Sequence, residues 1–381
     1  MSKYFIILIG ILGLCSGDKY TIPISTPDVE FNVNPIENIL VKKIVIESEE
    51  NLGSYIKIFF EESGNLTYDL IAYDNSVQVI DFFDISSKKL VNRISLLSYP
   101  IFFKNFPTEM IYNNQLIYLF SSGGLVVKMN NQGKVLDTFN FSKELKSSKS
   151  VLGIDPLNNN ESLIPLDSGI IVRSYPNYNW HEDYKYYENP SAIFIKENFE
   201  FQELFGFPQY MSSNKSQYFV NDYRYSYVLH KNKILISYRR DPSIYSYDLN
   251  ERNFERFPSK SGFIKEFELI ERKYNPQKET NILITSGVYH NLYLDKFEKK
   301  IYRIVSHSQP LKNEDGYLNN AGFKNFSIIV HDFDLNYIGE SFFSKKLNYS
   351  YLKMAVSKEG LIFINKNSNE KKLEIDIYKL Y

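Results

Sequence analysis

All-β, and built from repeating four-stranded antiparallel blades: the sequence predicts a six-bladed β-propeller, and three observations predict it. Its 381 residues include 31 Tyr and 29 Phe against one Trp, residues that favour pleated, half-buried surfaces. The apolar spacing of a long amphipathic helix is hard to find in any extended window. A strand, a short polar turn and a second strand recur along the chain, and one early strand stands apart from these pairs, able to close the last of them.

Residues 1–15 read as a signal segment. Lys3 supplies a short positive region and residues 4–14 an apolar run of eleven. A membrane-spanning helix needs ~20 such residues, so the run has the length of a secretory signal instead. The chain's one cysteine, Cys15, ends it. The arrangement looks like a bacterial lipoprotein signal, in which that cysteine becomes the lipidated first residue of the mature protein. Leu14 departs from the small residue usual before such a cysteine. An ordinary cleaved signal and an uncleaved anchor are the alternatives. More than one acyl chain on Cys15 would meet the requirement for stable anchoring. A single cysteine also excludes an intramolecular disulfide and a multi-cysteine zinc site. Residues 16–37, with Pro23, Pro27 and Pro35, read as a tether.

From residue 38 the text becomes β-rich, beginning with the run 38–47. Strand pairs follow at 76–85 with 90–96, 124–129 with 134–139, 191–195 with 199–205, 243–249 with 254–257, and 327–333 with 337–341. Further apolar runs at 69–73, 115–120, 169–172, 233–238 and 300–305 add a strand to each, and 360–365 with 373–380 form a sixth pair. One blade cannot bury both of its faces alone, so such units stack in a ring. Six of them fit residues 38–381, and the run 38–47 then completes the C-terminal blade and protects its edge. Two β-sandwich domains are the competing arrangement. They would require a linker near the middle, where no Gly/Ser/Pro-rich boundary occurs.

The lipoprotein-like start, the motif Ile-Tyr-Ser-Tyr-Asp-Leu-Asn at 244–250, and the segments 332–340 and 358–364 resemble a Bacteroidota family of six-bladed propeller lipoproteins, domain of unknown function 4221. The resemblance implies a TolB-like six-bladed propeller tethered by lipid. It implies no active site.

Composition narrows the chemistry. Lys plus Arg number 44 and Asp plus Glu 45, a formal charge of −1, which argues against nucleic acid as a partner. The five histidines form no His-Glu-x-x-His motif, and neither a Gly-x-Ser-x-Gly elbow nor a phosphate loop is present. His181, Glu182 and Asp183 are the densest group of potential metal ligands, in a stretch that reads as an exposed loop. Asp332 and Asp334 alternate as in a calcium loop but lack its Gly and Glu. No catalytic residue, metal or cofactor is therefore assigned.

The channel mouth of a propeller is its usual ligand surface. Arg173 and Tyr175, Arg239 and Arg240, and Arg303 with His307 lie on or after strands read as the inner ones of their blades. If they converge, they form a cationic, aromatic rim suited to carboxylate, phosphate or sugar-acid groups. The alternative is structural pairing with acids on other blades. Trp180, Tyr184, Tyr186 and Tyr187 likewise form either a binding platform or interblade packing. The expected function is a lipid-anchored cell-envelope propeller, non-enzymatic, that binds a ligand or protein or serves as a scaffold. Its partners are the membrane through the lipid and an envelope protein or glycan. Two alternatives stand beside it: a propeller enzyme, such as a lactonase-like metal hydrolase or glycan-acting lyase working in the channel, and a sensor or partner subunit without a small ligand. A freely secreted form is the alternative location.

Overall fold

A computed structural model describes residues 34–381 apart from 62–68, 105, 114, 122–123, 141–149, 153–162, 167, 177, 197–200, 221, 265–266, 348 and 366–367. Cys15 and most of the tether lie outside the described residues.

Six antiparallel sheets follow one another along the chain as blades, and a seventh, two-stranded sheet pairs Gln217–Phe219 with Leu269–Glu271 from the connections on either side of the fourth blade. Reading outward from the channel, the first blade orders Lys57–Phe60, Leu70–Asp74, Val79–Asp84 and Lys89–Ser95. The second orders Pro107–Asn113, Leu116–Ser121, Leu125–Asn130 and Val135–Asn140. In the third the inner position is shared by two short strands, Ser150–Leu152 and Leu163–Leu166, both paired with Gly169–Pro176. The fourth and fifth blades run Tyr225–His230 to Phe254–Pro258 and Val288–Asp295 to Tyr337–Phe343. The sixth joins the two ends of the domain. Tyr349–Ser357, Gly360–Asn365 and Lys372–Leu380 come from the C-terminus, and Asn38–Glu47 pairs with Lys372–Leu380 as its outermost strand, from Asn38 opposite Leu380 to Glu47 opposite Lys372.

Burial explains the strand texts. Leu70–Asp74 is buried at every position because a neighbouring blade covers each of its faces, and it therefore reads as a continuous apolar run. The outer strand Lys89–Ser95 is mostly exposed and carries polar residues. The core is accordingly divided among the six seams between blades. Ile44 and Ile46 of the closing strand pack with Leu70, Ala72 and Phe83 of blade one. Phe205, Phe207, Tyr225, Tyr238 and Tyr245 fill the seam between blades three and four. Phe326, Phe343, Tyr349, Phe363 and Tyr378 fill that between blades five and six. Flat rings suit the gap between two face-packed sheets, which accounts for the aromatic richness.

Tight turns within the blades share one device. The carboxylate of Asp84, Asp248, Asp295 or Asp332 accepts backbone N–H groups two to four residues on, as at Asn250 (2.8 Å) and Glu251 (3.1 Å) from Asp248. The Asp332–Asp334 alternation belongs to such a turn. One helix of ten residues, Pro276–Thr285, sits in the long connection between blades four and five, where Asn275 caps its N-terminus through the Lys278 N–H (3.0 Å). Among the described residues, no helix is long and apolar enough to cross a membrane.

Candidate functional site

The inner strands of all six blades run in the same direction, from the face that carries the interblade connections to the face that carries the first hairpin turns. Toward the second face they enclose a cavity of about 330 Å³. Every blade contributes to its wall: Lys57–Phe60 from the first, Ile111 and Tyr112 from the second, Ile164 from the third, Val228 and Leu229 from the fourth, Leu292 and Tyr293 from the fifth, and Lys353 to Val356 from the sixth. Its size falls within the ~300–1,000 Å³ of small-molecule sites.

Three lysines stand on this wall of mixed polar and apolar surface, and no Asp or Glu lines it among the described residues. They are not equivalent. Lys57 forms a buried ion pair with Glu109 of the neighbouring blade, so its charge is already balanced. Lys296 is exposed in the turn at the mouth. Lys353 is half-buried on the inner strand of blade six. Burial pulls its ammonium below the usual lysine range, and Asp74 only partly opposes that shift. Polar rings flank the lysines, with Tyr112 donating to Glu61 and Tyr293 accepting from the Asn291 amide (3.5 Å).

The six residues predicted from sequence lie elsewhere, toward the connection face. Arg173, Tyr175 and Arg303 stand on second strands, and Arg239, Arg240 and His307 directly follow second strands, so the strands read as innermost are in fact one step out from the channel. The reason is that second strands, covered on both faces, carry the strongest apolar runs. The true inner strands border the channel and mix lysine, tyrosine and asparagine among their apolar residues.

Arg303 is fully buried in the seam between blades four and five. It donates to Ser237 Oγ (2.8 Å) and to the carbonyls of Ser259 (3.0 Å), Asp241 (2.7 Å) and Tyr238 (3.3 Å), and lies 3.8 Å above the Tyr289 ring. Burial lowers its pKa to about 10. Arg173 lies apart, 4.2 Å over Tyr225 in the preceding seam.

Arg239, Arg240 and His307 do come together, and His290 and Lys324 join them. Arg240 donates to the carbonyls of Val220 (3.0 Å) and Gly287 (2.7 Å) and to Ser286 Oγ (2.8 Å), while Lys324 holds the Leu283 and Ser286 carbonyls at the end of the ten-residue helix (2.7 Å each). His307 stacks on Phe263 at 4.2 Å. Each charge acts on the next. Burial, with Arg240, lowers Lys324 to about 7, and burial, with Lys324, lowers His307 to about 4. His290 is held well below its usual range by burial, with Arg239, Lys324 and Arg240 adding to the effect.

A loop layer covers the same face over blades three and four. His181 Nδ1 lies 3.0 Å from Glu279 Oε1, which also accepts from the Tyr218 hydroxyl (2.7 Å). Trp180 stacks on His181 and packs against Tyr223. Tyr186 and Tyr187 are buried in the interblade core, which places them in packing rather than on a surface platform. Among the described residues, no three His, Cys, Asp or Glu side chains gather where they could hold a metal ion. Sequence reasoning missed Lys57, Lys353 and the pair His290 and Lys324. A usable signal existed for the first two, since each is a lysine inside an otherwise apolar strand text.

Comparison with known proteins agrees with this architecture. Residues 30–342 match the family described as domain of unknown function DUF4221. The crystal structure of a DUF4221 member from Bacteroides vulgatus superposes with a TM-score of 0.71 at 20% identity, covering 92% of this chain and 99% of that one. A protein from Bacteroides fragilis, named as exported, superposes with a TM-score of 0.51 at 11% identity over 95% and 99% of the two chains. No curated protein matches the sequence significantly.

Proposed function

Because the chain belongs to the DUF4221 family of propellers, we propose that it is a cell-envelope protein, lipid-anchored through Cys15, that binds a small ligand in its central channel without transforming it. The observation that carries this reading is the cavity to which all six blades contribute side chains. The signal-like residues 1–15 and the exported name of the Bacteroides fragilis relative support the location. No observation among the described residues favours the enzyme alternative.

Two measurements test it. Intact mass of the protein from its native membrane fraction, beside Cys15→Ser, is expected to show a chain beginning at Cys15 with added acyl groups that the variant lacks. A mass beginning beyond Cys15 and unmodified refutes the anchor. Native mass spectrometry of wild type beside Val356→Trp, which fills the cavity, is expected to show a copurifying small molecule in the first and not the second. Equal retention by both places the ligand outside the channel.

A further inference from the structure

Resting on the channel as the ligand site, the geometry points to an organic anion, a carboxylate, phosphate or sulfonate carried by a compact apolar body, as the ligand that this cavity takes. The charge on the wall is segregated. The whole chain carries −1, yet the cavity wall holds lysines and no described carboxylate. Of these lysines, Glu109 already neutralises Lys57, which leaves Lys353 in the wall and Lys296 at the mouth.

A half-buried ammonium without a bonded counter-charge among the described residues is costly to keep, and Asp74 acts on it only through space. An anion in the cavity would supply that counter-charge. Ile58, Ile111, Val228, Leu292 and Met354 line the same cavity and would desolvate the body of the ligand. Low-dielectric walls focus the attraction of Lys353 and Lys296 for negative charge.

The test uses a matched pair of fluorescent probes on the full chain: 8-anilinonaphthalene-1-sulfonate and its uncharged counterpart N-phenyl-1-naphthylamine. Titrations of wild type, Lys353→Met, Lys353→Arg and Val356→Trp give affinity and stoichiometry, and thermal melts confirm that each variant is folded. The expected result is one sulfonate per chain, bound at least tenfold tighter than the neutral probe. That binding should be lost in Lys353→Met and Val356→Trp, retained in Lys353→Arg, and displaced by octanoate or octyl phosphate. If both probes bind equally, indifferent to Lys353→Met but lost in Val356→Trp, the anion preference is overturned while the channel remains the ligand site. If neither probe binds stoichiometrically, or if Val356→Trp leaves binding unchanged, the channel reading fails as well.

Discussion

At the scale of single residues, two buried cations illustrate opposite uses of charge. Arg303 spends its guanidinium on three carbonyls and a hydroxyl from blade four and its outgoing connection, with Tyr289 beneath. Replacing it with Met leaves those acceptors buried and unmet, and the expected cost is about 3 kcal/mol, read as a lower midpoint in urea unfolding. Among the described residues, Lys353 has no comparable set of acceptors. Lys353→Met is therefore expected to melt at the same temperature as wild type or above it when no ligand is present, the pattern of a residue kept for binding at the expense of stability. A large drop in melting temperature would assign Lys353 a structural role.

Elements of the fold depend on two local devices. The second strands of blades three and six open at Gly169 and Gly360, whose φ values are 153° and 138°. A Cβ at Gly360 would lie 2.2 Å from the Tyr378 carbonyl oxygen on the adjacent strand. Gly360→Ala is expected to cost more than about 1 kcal/mol and to loosen the last blade, visible as faster amide exchange in Lys372–Leu380. The other device is ring closure. Asn38–Glu47 covers the edge of Lys372–Leu380 and buries Ile44 and Ile46 against blade one. Deleting residues 1–47 uncovers that edge and a hydrophobic seam at once. The expected outcome is self-association on size-exclusion chromatography and loss of the cooperative melt. A monomeric, cooperatively melting deletion would show that the ring does not need its closing strand.

For the whole molecule, burial of titratable groups sets the dependence of stability on pH. All five histidines are lowered, chiefly by burial, with His307 and His331 near 4. As pH falls from 6.5 toward 4, the unfolded chain takes up protons that the folded chain refuses, so stability falls. His307 and His331, the two held near 4, each contribute on the order of 1 kcal/mol per pH unit over that range, and the more exposed His181 and His230 less. Asp84, Asp248 and Asp332, lowered by their turn hydrogen bonds, act in the same direction at still lower pH. Asp222, raised to about 6 by burial, and Asp69, also raised, oppose the trend. Five histidines outweigh them, and the urea midpoint is expected to rise from pH 4.5 to pH 7. Above pH 7 the lowering of Lys324 to about 7 carries the rise further, until the tyrosines raised by burial, Tyr73, Tyr187 and Tyr238 among them, reverse it as the unfolded chain's tyrosines ionise toward pH ~10. A flat profile between pH 4.5 and 7 would contradict the burial of these histidines.

What the sequence alone determined was the blade. Strand–turn–strand repeats, aspartate-led turns and runs such as residues 233–238 report local backbone preference and two-sided burial, both properties of contiguous residues. They were enough to count six units and to foresee that residues 38–47 close the last one. The site was not legible in the same way. The sequence joined Arg239, Arg240 and His307 to Arg173, Tyr175 and Arg303 in one rim, whereas in the fold His290 and Lys324 join the first three from separate segments. The cavity lysines Lys57 and Lys353 are almost three hundred positions apart. Which strand of each blade faces the channel, which lysine is cancelled by Glu109, and which arginine is consumed in a seam follow only from the closed ring. A propeller channel takes one strand from every blade, so its chemistry is assembled from residues that no local pattern connects.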